Sequence, residues 1–114
     1  GKQSADVTLL RGLGEPYMEL TPGQVTNPIR VKIKNRSGRD GLYKIEVVED
    51  IGARLTMSEN PIPVADGESR TEPVSITIPR IEFENGRRDI TLRISDDGDY
   101  GEQLEYRLLG PFGN

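Results

Sequence analysis

The feature that most limits the fold of this chain is a short-range alternation of apolar and polar residues. In the run IRVKIK, residues 29–34, every second residue is aliphatic, and YKIEV at 43–47 and ITLRI at 90–94 repeat the pattern. A period of two is typical of a strand with one buried face. The 13 Gly and 8 Pro residues leave no room for a long helix. The sequence therefore predicts an all-β chain.

The spacing of the turn signals predicts the architecture. Gly, Pro, Asn and Asp clusters recur about every ten to fifteen residues, which favours an immunoglobulin-like (fibronectin III-like) antiparallel β-sandwich of about seven to eight strands. The first strand is predicted in two halves, Asp6–Leu10 and Tyr17–Leu20, while Pro61 and Pro63 exclude a central strand around them. Within Ile29–Asp50, the second and third strands of such a sandwich would lie in opposite sheets.

Length and composition indicate one domain with a thin core. A chain of 114 residues fits a single domain, and with 33% hydrophobic and 30% charged residues its core must be built largely of aliphatic side chains. We expect residues 6–114 to form this domain. We expect residues 1–5 to be a frayed amino terminus or a cloning remnant.

The residue types that are missing exclude several function classes. The chain has no Cys, no His and no Trp, so a thiolate nucleophile, an imidazole base and a Cys/His metal site within it are excluded. The net charge is -4 and the basic residues are scattered, which argues against nucleic acid or an anionic membrane surface as a partner. No apolar run reaches the roughly 20 residues of a transmembrane segment. We therefore predict a non-enzymatic domain without a cofactor of its own.

One acidic cluster, SDDGDYGE at residues 95–102, raises the question of calcium. The spacing of Asp96, Asp97 and Asp99 does not fit an EF-hand loop, because Gly98 and Gly101 occupy positions that need a ligand. The pattern favours a polar hairpin loop, since Asp-Gly is a strong hairpin signal. A weak surface calcium contact at the three aspartates stays open as the alternative.

Pairs of carboxylates are the remaining candidates for acid–base chemistry. Glu82 and Glu84 would be neighbours on one strand face, and Glu46 and Glu49 form a second close pair. Nothing in the sequence encloses either pair, so solvated strand faces are the expected interpretation.

Two short patterns have simple structural interpretations. Met18 and Met57 are expected to fill the core. The acceptor pattern Asn35–Ser37 is short enough to arise by chance.

A basic stripe on the second strand is the candidate interaction surface. Arg30, Lys32 and Lys34 alternate with aliphatic residues and should share one outer face. Lys44 and Glu46 are expected opposite them on the same face, where cross-strand ion pairs can form. A solvated face is one interpretation of the stripe. A docking surface for an acidic partner, joined by Arg11, is the other.

Both ends of the chain resemble a known family. The stretch DVTLLRGLGEPYMELTPGQVTNPIRVKIKNRSGRDGLYKIEV at 6–47 and the ending LEYRLLGPFG at 104–113 are similar to the C-terminal immunoglobulin-like domain of FixG/CcoG/RdxA-type membrane iron-sulfur proteins. The matching residues are Leu9, Leu10, Arg11, Pro16, Tyr17, Gly23, Asn27, Val31, Ile33, Asn35, Gly110 and Pro111. The chain departs from the family at GLGE, residues 12–15, where an Arg-Asn element is usual, and residues 51–69 match only in pattern.

The resemblance implies a function for the whole parent protein. Such a parent has several membrane helices and a ferredoxin-like part whose cysteines hold iron-sulfur clusters, and it is linked to copper handling and cytochrome c oxidase assembly. The present domain would be a non-catalytic accessory on the periplasmic side of the bacterial inner membrane. Its partners would be other domains of the same protein or oxidase-assembly proteins. The alternative function is a fibronectin-like spacer or adhesion module of a cell-surface protein, with calcium at Asp96, Asp97 and Asp99.

Overall fold

The computed structural model describes residues 4–113, which form nine β-strands and one short 3₁₀ helix. The strands are β1 (Ala5–Arg11), β2 (Met18–Leu20), β3 (Gln24–Asn35), β4 (Gly41–Val47), β5 (Arg54–Thr56), β6 (Ile62–Val64), β7 (Ser69–Pro79), β8 (Arg87–Ser95) and β9 (Gly101–Leu109). The 3₁₀ helix spans Arg80–Glu82, between β7 and β8. In the part of the chain that the structure describes, no helix is long and apolar enough to cross a membrane.

The strands form two antiparallel sheets that pack face to face. In sheet A the order is β1-β3-β7-β5, with β2 pairing along β3 beyond the end of β1, and in sheet B it is β6-β4-β8-β9. The predicted immunoglobulin-like sandwich is confirmed. The strand count exceeds the predicted maximum by one because residues Ile62–Val64, around Pro63, form the short edge strand β6.

The core lies between the sheets and is aliphatic, as the composition requires. Ile29, Val31 and Ile33 of β3 are fully buried and face Tyr43 and Ile45 of β4 in the other sheet. Their neighbours in the core include Val25, Ile62, Val74, Ile76, Ile78, Ile90, Leu92, Ile94 and Leu108. Each such side chain contributes about 1.5–3 kcal/mol by leaving water. The predicted placement of the second and third strands in opposite sheets is therefore confirmed.

The ordered domain begins earlier than the sequence pattern indicates. Ala5 opens β1, pairs with Asn35 and is buried. Ala5, which the sequence pattern assigns to a frayed terminus, is therefore part of sheet A. Residues 1–3 lie outside the described part of the chain.

Candidate interaction surface

The basic stripe lies on the outer face of sheet A, as the alternation in β3 predicts. Two of its three side chains bind backbone carbonyls: Arg30 Nε donates to the Arg11 oxygen at 3.0 Å and Lys34 Nζ donates to the Gly67 oxygen at 2.9 Å. The Lys32 side chain is exposed and makes no hydrogen bond or ion pair within residues 4–113. Lys32 is therefore the member of the stripe whose charged group has no contact of this kind to hold it in place.

The surroundings of Lys32 are polar but carry no acidic partner for it. Thr8 of β1 and Thr71 of β7 are its direct neighbours across the sheet. The expected ion pair with Glu46 is wrong, because Glu46 lies on β4 in the other sheet, where its carboxylate is 3.7 Å from Lys44 Nζ. Alternation predicts which residues face outward on each strand, but β3 and β4 lie in different sheets, so their outer faces point away from each other.

Arg11 does not belong to the stripe. It pairs in register with the buried Ile29, so its side chain leaves sheet A on the side opposite to Arg30. Its guanidinium carbon lies 4.8 Å from the centre of the Tyr106 ring on β9, which is cation–π distance. Burial raises the pKa of the Tyr106 hydroxyl, and the nearby Arg11 charge opposes the rise. Arg11 therefore closes one edge of the sandwich between the two sheets.

The acidic cluster forms the loop between β8 and β9, as the hairpin interpretation predicts. The Asp96 carboxylate is only 4% exposed and accepts hydrogen bonds from the backbone N–H groups of Gly98 and Tyr100 at 2.9 and 3.0 Å. Asp97 accepts one from the Leu42 N–H at 3.2 Å, and this bond, with help from Arg39, lowers the pKa of the Asp97 carboxyl. These carboxylates hold the loop against β4.

The same contacts bear on the calcium alternative. Arg39 lies 3.8 Å from Asp96 and 3.5 Å from Asp97, so its guanidinium offsets part of the negative charge of these two carboxylates. Across the described residues, Asp99 included, no three acidic, Cys or His side chains are grouped so that they could hold a metal ion. The contacts of Asp96 and Asp97 thus stabilise the loop of the β8–β9 hairpin.

The carboxylate pairs do not form an acid–base site. Glu82 ends the 3₁₀ helix and makes an ion pair with Arg88, whereas Glu84 bridges to Arg87 through its backbone. The predicted shared strand face is wrong, since the chain between β7 and β8 turns through the helix instead of continuing as a strand. Glu49 likewise leaves β4 and accepts a hydrogen bond from the Thr91 N–H at 2.8 Å.

An open groove of about 810 Å³ lies beside these residues, at the end of the sandwich opposite to Ala5. Its lining includes Ile81, whose side chain is 86% exposed, and the Glu82–Arg88 ion pair. The groove is open to water, and Glu84, which also lines it, is exposed. The lining therefore does not enclose an acid–base pair.

The two methionines have different environments. Met57 packs against the core, as expected. Met18 is exposed and lines a shallow groove with Leu13 and Pro28 on sheet A, so the core assignment is wrong for it. The reason is that β2 is an edge strand whose three residues are all exposed.

Buried polar side chains are the functional-looking residues that the sequence reasoning missed, and all of them support the fold. Asn27 binds both the N–H and the C=O of Leu109, each at 2.8 Å. Asn35 binds the carbonyls of Arg39 and Val64 at 2.8 and 2.9 Å. A signal was present: both asparagines occupy the parity of β3 that is otherwise aliphatic.

A buried carboxylate in β7 also has a structural role. Glu72 lies on the buried parity of β7 and accepts hydrogen bonds from Ser58 at 2.6 Å and from two nitrogens of Arg70 at 3.2 and 2.9 Å. Burial alone would raise the pKa of the Glu72 carboxyl, but the bonds from Ser58 and Arg70 outweigh it and hold the pKa below its usual range. Glu72 therefore stays ionised as part of the structure.

Comparisons with known proteins agree with this architecture. A family model described as "IG-like fold at C-terminal of FixG, putative oxidoreductase" matches residues 1–111. A crystal structure of a FixG-related protein from Vibrio parahaemolyticus is similar with a TM-score of 0.80 and 17% sequence identity, over 96% of this chain and 98% of that chain. At this identity the likeness concerns the fold. No curated protein matches the chain significantly.

Proposed function

Since the chain belongs to the family of immunoglobulin-like domains at the C-terminus of FixG, we propose that it is a non-catalytic accessory domain on the periplasmic side of the bacterial inner membrane. Its parent would be a membrane-bound iron-sulfur protein linked to copper handling and cytochrome c oxidase assembly. The domain would contact other domains of this protein or oxidase-assembly proteins. Cysteine ligands for clusters must come from elsewhere in the parent, because this chain contains no Cys.

The observation that carries the proposal is that the buried polar side chains form structural hydrogen bonds within the fold. Asn27, Asn35 and Glu72 bind backbone groups or structural partners, and Thr77 donates to the Thr26 hydroxyl at 3.0 Å. Each supports strands or loops instead of facing a substrate-sized cavity. The exposed outer faces and loops are then the parts through which the domain can act. Family membership favours this function over a spacer or adhesion module.

Removal of the domain from the full-length parent tests the accessory role. We expect the iron-sulfur absorption of the purified protein to be retained and the cytochrome c oxidase activity of the membranes to fall severalfold, because the domain would serve contacts and not electron transfer. A loss of the clusters on removal would contradict the accessory role. Unchanged oxidase activity would contradict the link to assembly.

The periplasmic placement has a separate test. Alkaline phosphatase fused after Asn114 in the full-length parent should be active, because this enzyme forms its disulfides only outside the cytosol. A fluorescent protein that fails to mature in the periplasm serves as the reciprocal fusion. Fluorescence from this fusion, with an inactive phosphatase, would place the domain in the cytosol.

The contact surface is tested by charge reversal at the exposed lysine of the stripe. Lys32→Glu in the full-length parent should reduce co-purification of its assembly partners about tenfold, since a reversed charge at an acidic partner's contact costs more than its removal. Lys44→Glu is the matched control, because Lys44 is an exposed strand lysine on the outer face of sheet B. Equal recovery of partners with both variants would remove the stripe from the interaction surface. The triple variant with Arg30→Glu and Lys34→Glu should deepen the loss.

A further inference from the structure

The last strand, β9, forms one of the two edges of sheet B, and β6 forms the other. At its two ends, the Asp96 N–H donates to the Tyr100 oxygen and the Gly110 N–H donates to the Gly86 oxygen. In an antiparallel pair, successive residues alternate between bonding to the neighbouring strand and pointing away from it. Even-numbered residues of β9 therefore bond to β8, and the odd-numbered residues direct their N–H and C=O groups towards the open edge.

One position on this edge is already occupied. The Asn27 side chain satisfies both backbone groups of Leu109, in the way that a neighbouring strand would. The outward N–H and C=O groups of Gln103, Glu105 and Arg107 have no hydrogen-bond partner within the described residues, and the side chains of these three residues are exposed. The free part of the edge is thus a short strip between Gly101 and Leu109.

The charges along this strip are complementary to those of a second, antiparallel copy of the same strand. If a second copy of β9 runs antiparallel with Tyr106 opposite its own counterpart, Glu105 of each copy faces Arg107 of the other. Arg107 is already oriented by Asp89 on β8, which accepts hydrogen bonds from two of its nitrogens at 2.7 and 3.2 Å. Protective edges usually carry charges that would repel a copy of the same strand. This edge carries the opposite arrangement.

The other long open edge lacks these properties. In β1, the carbonyl of Arg11 is bound by Arg30, and the Arg11 side chain lies on Tyr106. Asp6, the remaining charged residue of β1, makes an ion pair with Arg36 at 2.7 Å. Asp6 and Arg11 lie on opposite faces of β1, so no antiparallel register of two copies that keeps their outer faces aligned places these two residues opposite each other. Self-pairing is therefore favoured at β9.

We propose that β9 is a homodimerisation edge at which two copies of the chain pair antiparallel about Tyr106. The N–H and C=O groups of Glu105 and Arg107 on each copy form the ladder, and the two Glu105–Arg107 pairs fix the register. The ladder ends at Leu109 because Asn27 holds its backbone groups. The two four-stranded sheets would then become one continuous sheet.

Proline substitutions at the outward positions test the ladder directly. Proline is tolerated at an edge position whose N–H faces solvent, but it removes the donor that a second strand would need. The wild-type chain should sediment at twice the 12.7 kDa mass of one chain, and Glu105→Pro should sediment as a monomer. Gln103→Pro is the matched control and should stay dimeric, because its counterpart in this register is the occupied Leu109. A monomeric wild type at millimolar concentration, or equal effects of both prolines, would overturn the proposal.

Charge variants test the register without disturbing the backbone. Glu105→Arg and Arg107→Glu should each weaken self-association at least about tenfold, because each variant places like charges opposite one another. An equimolar mixture of the two variants should recover the dimer, because the copies then carry complementary charges at both positions. If the mixture sediments as monomers while both variants show native circular dichroism, the proposed pairing is wrong.

Discussion

Replacing Asn27 with Ala should lower the free energy of unfolding by about 3 kcal/mol, with a fall in the melting temperature of about 10 °C. The variant removes two hydrogen bonds to Leu109 and leaves its N–H and C=O without partners, in addition to a small cavity at a fully buried position. These bonds tie β3 of sheet A to the last strand of sheet B. Urea unfolding followed by circular dichroism measures the loss.

The matched control is Asn60→Ala. Asn60 makes the same pair of bonds to a single residue, accepting from the Ile45 N–H at 3.1 Å and donating to the Ile45 oxygen at 2.8 Å, but its side chain is exposed. Water can replace the lost partner there, so we expect a loss of about 1 kcal/mol. If the two variants lost equal stability, burial of Asn27 would not be the cause of its contribution.

Arg70→Ala should destabilise the chain by about 2 kcal/mol at neutral pH, because it leaves the buried Glu72 carboxylate with Ser58 as its remaining side-chain donor. Glu59→Gln is the control for the exposed side of the same guanidinium, since Glu59 accepts from Arg70 at 3.1 Å near the surface. An exposed pair of this kind contributes little, and we expect a change of about 0.5 kcal/mol or less. A larger loss from Glu59→Gln than from Arg70→Ala would contradict the role given to Glu72.

The stability from Glu72 should depend on pH in one direction. The pKa of Glu72 in the folded chain lies below its usual value of 4.5, so the folded state favours the ionised form. The contribution is therefore fully present above that value and is lost as the pH falls through the lower, folded pKa. The stability difference between the wild type and Glu72→Gln should be large at neutral pH and shrink in acid. A difference that grew on acidification would show that Glu72 is protonated in the folded state.

Much of the fold can be predicted from local patterns in particular strands. The alternation in residues 29–34 gives the buried face of β3, and the prolines at 61 and 63 keep β6 at an edge of sheet B. These signals are readable because the side-chain period of a strand is fixed by its backbone. The structure of segment 80–86 cannot be predicted in this way, since a single turn of 3₁₀ helix has no periodic signal of its own.

The interaction surface was predicted less completely than the fold. Arg30, Lys32 and Lys34 do share one outer face. Only the structure shows that the Arg30 and Lys34 side chains donate hydrogen bonds to backbone carbonyls. The expectation that Arg11 joins this surface rests on its residue type. Its position opposite Ile29 in the ladder sends it to Tyr106 instead.

The sequence by itself determined that this chain is an all-β sandwich of the FixG C-terminal kind, which face of β3 and β4 is buried, and that neither Cys nor His takes part in its chemistry. The tertiary structure alone decided the partners of the polar residues: Asn27 with Leu109, and Glu72 with Ser58 and Arg70. The physical reason is the distance along the chain over which each effect acts. Strand periodicity acts between near neighbours, whereas a buried polar group takes whichever distant group the packed sheets bring within hydrogen-bond distance.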